Sequence, residues 1–241
     1  MFKDENVQNF LNLFNELHQV IAARLRDDSE KNFGNLLKKA HRDRVITHYE
    51  RQLNFYKDVR NLLTHDRLPS QKNILLPSDE LLQDLISVKN TIEHPKKIGE
   101  LFRTDVQAFN TNDTLGKILP NIRKNKISQF PLFAGKRLVG IITENGITNY
   151  LARHSEQDLS AIKEIPAVDI IASDERRKNY AVVAENKSIY EIEELFYHQI
   201  ASGHGSFILL IAKNGKKNKP TPKDLIGVIT PWDMPKLLRN K

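Results

Sequence analysis

Along the first 94 positions the apolar residues recur at helical spacing. Between Asn6 and Leu25 they fall at Phe10, Phe14, Leu17, Ile21 and Leu25, in steps of 4, 3, 4 and 4. That is the stripe of an amphipathic helix, and Asp27-Asp28-Ser29 breaks it. Phe33, Leu36, Leu37 and Ala40 form a shorter helical face. Val45, Tyr49, Leu53, Tyr56, Val59 and Leu63 form a long third one, ended at Leu68-Pro69-Ser70 because a residue before proline is pushed out of the α region. A fourth stripe, Leu81, Leu82, Leu85, Ile86, Val88 and Ile92, follows Pro77-Ser78-Asp79, with Ser78 or Asp79 as the cap, and Pro95 stops it. Residues 1–94 therefore read as a four-helix bundle.

After residue 95 the pattern changes. The runs Phe130–Phe133, Leu138–Ile142, Phe207–Ala212 and Leu225–Ile229 are short and apolar, the mark of strands buried on both faces. They belong to an internal repeat. Leu138-Val139-Gly140-Ile141-Ile142-Thr143 matches Leu225-Ile226-Gly227-Val228-Ile229-Thr230 at an offset of 87. Upstream, Ala108-Phe109 with Asp113-Thr114-Leu115 matches Val182-Val183 with Lys187-Ser188-Ile189 at an offset of 74. Gln129–Phe133 is laid over Ser206–Leu210 at an offset of 77. On this alignment three residues enter before the middle strand and ten more in the loop 213–224. Each repeat reads strand, helix, strand, turn, strand, helix. Asp113 is expected to cap a helix running to about Arg123, and Ser188 its counterpart. A unit this small buries too little by itself, so the two should pack together.

Composition narrows the chemistry. The 241 residues contain no cysteine, which excludes disulfides, thiolate metal sites and cysteine nucleophiles. The longest unbroken apolar run is six residues, Phe207–Ala212, where a membrane span needs about 20. The first residues carry no apolar signal-peptide core, and a cytoplasmic protein without membrane contact is expected. The net charge of +7 is uneven: residues 1–94 hold 14 Lys+Arg and 14 Asp+Glu, residues 95–241 hold 23 and 16. An anionic partner is thus expected at the second part, although Lys213, Lys216, Lys217, Lys219 and Lys223 crowd one polar loop and equally fit a solvated surface. No HExxH, P-loop or Gly-x-Gly-x-x-Gly occurs, and no metal site is expected.

The repeated Gly-hydrophobic-Ile-Thr, and above all Gly227-Val228-Ile229-Thr230-Pro231-Trp232-Asp233-Met234, resembles a tandem pair of CBS domains, a Bateman module, over residues 95–240. The resemblance implies α plus α/β architecture, with domains at 1–94 (helical bundle), 95–160 (first CBS domain) and 161–241 (second). It implies an adenosine-containing ligand between the paired domains: AMP, ATP, S-adenosylmethionine or a cyclic dinucleotide. Thr230, at a strand-to-helix turn, and Asp233, one turn on, take the ligand-binding roles. A plain capping role for the pair is the alternative and is compatible with binding. The first repeat keeps Thr143 but has Gly146 where the aspartate belongs, so one good site and one degenerate or empty site are expected. His204 stands where related modules place a phosphate-contacting basic residue, and Lys126 is the matching candidate in the first repeat. For both, an ordinary loop residue is the alternative.

Arg60-Asn61-Leu62-Leu63-Thr64-His65 resembles the Arg-x4–6-His motif of HEPN domains, helical bundles that dimerise through this region and are in some cases metal-independent ribonucleases. That would make His65 the general acid/base and Arg60 the stabiliser of the pentavalent phosphate. The alternative is a structural hydrogen-bonding role across helices or a dimer interface. The balanced charge of residues 1–94 gives RNA little to hold, so RNA is not favoured as partner. The reading taken is a regulatory homodimer that senses an adenine nucleotide and relays it through the helical domain to an unidentified protein partner. A ligand-controlled HEPN ribonuclease and a dimerisation scaffold without ligand are its rivals.

Overall fold

The structure, a computed structural model, describes residues 2–64, 75–125, 127–156, 159–175 and 177–241. It is mixed α+β and forms two compact units, Met1–Lys96 and Lys97–Lys241.

The first unit is helical: α1 Phe2–Leu25, α2 Phe33–Lys39, α3 Arg44–His48, α4 Glu50–Thr64 and α5 Asp79–Glu93. The stripes read from the sequence supply its core. Phe10, Leu17 and Ile21 of α1, Leu36 of α2, Leu53 and Tyr56 of α4, and Leu85 and Ile92 of α5 are all fully buried. The third stripe is divided. Asp43 caps α3 by accepting from the backbone N–H groups of Val45 and Ile46, and the chain re-enters a helix at Glu50, so Val45 and the residues from Leu53 onward belong to two helices. The bundle thus has five α-helices among its described residues where four were expected. Ser78 is the cap of α5, accepting from the Leu81 N–H at 3.3 Å. The Tyr56 hydroxyl donates to Asp84 at 2.6 Å, which ties α4 to α5 and satisfies the polar tip of a buried ring.

The second unit holds two three-stranded sheets. In the first, β1 Phe109–Asn110 runs parallel to β2 Gln129–Ala134, which pairs antiparallel with β3 Arg137–Thr143. In the second, β4 Tyr180–Ala184, β5 Ile208–Ala212 and β6 Leu225–Ile229 repeat that order. Each parallel step is crossed by a helix, α7 Leu115–Asn125 and α10 Ile189–Ala201. The third strands lead into α8 Glu144–Arg153 and, after a 3-10 turn at Pro231–Asp233, into α11 Met234–Leu238. Phe133 and Ile141 of the first sheet share one buried cluster with Ile208, Leu210, Ala212 and Leu225 of the second, so the sheets bury their faces on each other.

Strand register corrects the repeat alignment. Leu132 pairs with Gly140, and Ile211 pairs with Gly227. The middle strands therefore correspond at an offset of 79, not 77, which moves Phe130 onto Leu209. Five residues, not three, enter before the middle strand, and eight, not ten, in the following hairpin. The Asp113 carboxylate also departs from expectation. It accepts from the Asn110 N–H at 2.7 Å and from Lys117, closing the turn before α7 rather than capping it.

The two repeats exchange their leading segments. A short helix, α6 Ile98–Leu101, precedes the first repeat, and α9 Ala167–Ala172 precedes the second. The N–H groups of Ile98 and Gly99 donate to the carbonyls of Lys187 and Glu185, and that of Thr104 donates to Ile226, all in the second repeat. Conversely, Ala167 and Val168 donate to Asp113 and Thr111, and Ile141 donates to Arg177. This exchange explains the glycine of the repeated motif. A methyl placed on Gly227 would lie 2.3 Å from the Phe102 carbonyl oxygen, and one on Gly140 would lie 2.8 Å from that of Arg177.

Candidate functional site

Thr143 ends β3, Thr230 directly follows β6, and both line one cavity of about 150 Å³. The first repeat contributes Gln129, Thr143, Glu144 and Asn145. The second contributes Gly205, Ser206, Ile208, Thr230, Pro231 and Trp232. Gln129 and Ile208 occupy equivalent positions once the offset is 79, so the cleft has approximate two-fold character in its backbone. Its side chains are unlike on the two sides. An acid and an amide stand at the start of α8, facing a proline and a tryptophan that is 91% exposed.

Asp233 lies within reach of Thr230. Its Oδ2 accepts from the Thr230 N–H at 2.8 Å and from the Thr230 hydroxyl at 3.0 Å. The aspartate therefore fixes the strand-to-helix turn, as the capping alternative requires, while remaining half-buried. The element after Thr230 is shorter than the sequence suggests. It is a 3-10 turn followed by a helix of five residues, with too few aligned peptide dipoles to make a phosphate-binding helix end. On the other side α8 is longer, but its first residue is Glu144, whose negative charge already answers the helix dipole and opposes an anion.

His204 does not face the cavity of the two threonines. It borders a neighbouring groove of about 650 Å³ with Glu175, Lys178, Asn179, Gly203, Gly205 and Ser206. Gly205 and Ser206 border both spaces, so cleft and groove meet along the turn that precedes β5. Two of the five inserted residues lengthen α10, which has 13 residues against 11 in α7, and the other three fall in this turn. Gly203, with φ of +84°, lets the chain reverse after α10. The sequence marks Lys178 only as part of the charged run Arg176-Arg177-Lys178 and does not mark Asn179, because their place beside His204 depends on the exchanged connecting segment.

Arg60 lies in the last turns of α4, where its guanidinium donates to the Asn61 side chain at 3.3 Å and its carbonyl accepts from the Thr64 hydroxyl at 2.9 Å. His65 and Lys126 lie outside the described residues. Among the described residues no group of three His, Asp or Glu side chains is arranged to hold a metal, and no helix is long and apolar enough to cross a membrane.

No curated protein matches this chain. Several solved structures resemble it. A Vibrio cholerae protein named for acetoin utilization, AcuB, is 19% identical over 61% of this chain and 92% of its own, with a TM-score of 0.42. A CBS-domain containing protein from Agrobacterium tumefaciens is 18% identical over 59% of this chain and 92% of its own, with a TM-score of 0.40. A Methanocaldococcus jannaschii protein described as an archaeal homolog of g-AMPK is 17% identical over 76% of this chain and 63% of its own, with a TM-score of 0.43. A family model matches part of the chain, beginning just beyond the helical unit and ending with α8: residues 98–153 match the CBS domain.

Proposed function

We propose that the second unit is a regulatory sensor that binds one adenine nucleotide in the cleft between its repeats. The observation that carries this reading is the convergence of Thr143 and Thr230, the same position of two repeats, on one small polar cavity. CBS domains generally bind adenosine ligands, which gives the cavity its occupant. The nucleoside sits on the second repeat, where Asp233 offers a half-buried carboxylate to the ribose hydroxyls. A carboxylate is the strong acceptor that a pair of hydroxyl donors calls for. The phosphate runs past Gly205 and Ser206 toward Lys178 and His204, and away from Glu144. Binding that favours one arrangement of the two repeats would alter what the helical unit engages, since a ligand shifts an equilibrium by its differential affinity for the two states. The chain acts in this reading as a homodimer with an unidentified protein partner.

A thermal-shift screen of the full chain with AMP, ADP, ATP, S-adenosylmethionine and cyclic dinucleotides tests it. A ligand at 100 times its dissociation constant raises apparent stability by about 2.7 kcal/mol. An unmoved melting temperature with every ligand would reject the sensor and leave the dimerisation scaffold.

A further inference from the structure

The first repeat lacks the aspartate of the second at the equivalent position, Gly146, yet Thr143 is bonded to a carboxylate all the same. That carboxylate belongs to Asp174, in the segment connecting the repeats. Asp174 Oδ2 accepts from the Thr143 hydroxyl at 2.7 Å, much as Asp233 Oδ2 accepts from the Thr230 hydroxyl at 3.0 Å. It also stands where a side chain at 146 would begin. A methyl placed on Gly146 would lie 2.6 Å from Asp174 Oδ2 and 3.0 Å from its Cβ. The two carboxylates differ in access. Asp233 is half-buried, whereas Asp174 is 1% exposed.

We infer that Asp174 is the first repeat's counterpart of Asp233, delivered from the connecting segment, and that by holding Thr143 from the buried side it closes the first half of the cleft to a nucleoside. Gly146 is then required by Asp174. The residue at 146 has to be small because the space is taken, and no carboxylate reaches the cleft from that position. The segment is pinned at a second point. Arg177 donates through its N–H and its guanidinium to the Asp174 carbonyl at 3.2 and 3.3 Å, and its own carbonyl accepts from the Ile141 N–H at 3.1 Å. Directly after this clamp come Lys178 and Asn179, which border the groove of His204. Asp174 is therefore a positioning residue as well: it sets the wall along which the phosphate is proposed to run. The closure of the half-site rests on the nucleotide reading above, whereas the exchange of one carboxylate for another does not.

The test uses the full chain with Gly146→Asp, Asp174→Gly and both together, plus Asp174→Asn, which keeps an acceptor for Thr143. Urea unfolding reads the exchange without any ligand. Gly146→Asp alone should lower the midpoint, and adding Asp174→Gly should recover at least half of that loss. Equal losses that simply add, or an unaffected Gly146→Asp protein, would overturn the exchange. Calorimetric titration with AMP reads the closure. Wild type and Asp174→Asn should bind one AMP per chain, and the double variant two. Two AMP per wild-type chain, or one per chain of a folded double variant, would overturn the closure. If neither wild type nor double variant binds AMP while the unfolding data show the coupling, the nucleotide reading falls and the exchange stands.

Discussion

In the proposed reading, single residues divide the cleft into a nucleoside end and a phosphate end. Asp233→Ala removes a charged acceptor, worth about 1.5–3 kcal/mol, and should weaken AMP about tenfold or more while the protein stays folded. Calorimetry of the variant checks this, and an unchanged affinity would remove Asp233 from the site. Lys178→Ala and His204→Ala act at the other end and should weaken AMP while leaving adenosine as it was. Equal losses for both ligands would place the phosphate elsewhere. The glycines of the repeated motif make a separate prediction. Gly227→Ala drives a methyl against the Phe102 backbone, 2.3 Å away, whereas the closest atom to a methyl on Gly140 is the movable Ile171 Cδ1 at 2.6 Å. Overpacking costs about 1–3 kcal/mol, and unfolding experiments should show Gly227→Ala losing more than Gly140→Ala. That a glycine recurs before Ile-Thr is plain in the sequence. Its cause is not, because the obstructing carbonyl comes from residue 102, far upstream and in the exchanged segment. Asp174 escaped notice for the same reason: nothing local marks an aspartate as the partner of a threonine 31 residues before it.

Elements were legible where their periodicity was strong. The long amphipathic stripes gave α1, α4 and α5, and the repeated motif gave β3 and β6. The two-residue slip in β5 keeps every side chain on its own face. The run Phe207–Ala212 is apolar throughout, so no polar residue marks the true register, and only the strand pairing shows the offset of 79. The division of the third stripe at Tyr49 was likewise hidden, because the apolar residues keep nearly the same spacing through it. Ser188 was legible as a cap and is part of a full capping box with Glu191. Ser188→Ala should cost about 1 kcal/mol, measured by urea unfolding. Burial pushes the Glu191 carboxyl up, but hydrogen bonds from Lys187 and Ser188 outweigh it and hold it below the ordinary glutamate range. A depressed folded-state pKa stabilises above the unfolded value and is lost as the pH falls through the folded one. The protein should therefore lose stability on acidification through and below the glutamate range, and Glu191→Gln should flatten that part of the profile. An identical acid profile in the variant would show that other carboxylates carry it.

At the scale of the whole molecule, charge and cleft point to the same unit. The excess of Lys and Arg lies beyond residue 95, and the helical unit is neutral in sum over residues 1–94. A bundle without net positive charge is a poor holder of a polyanion. Purified protein should therefore leave labelled single-stranded RNA intact, with or without nucleotide. Cleavage that disappears in Arg60→Ala would promote the ribonuclease reading instead. The central claim, one adenine nucleotide per chain in an asymmetric cleft, is tested most directly by calorimetric titration of the full chain with AMP, ATP and S-adenosylmethionine in turn. The account predicts saturation at one ligand per chain for at least one of the three. Two equal and independent sites per chain, or no binding of any of them, would contradict it.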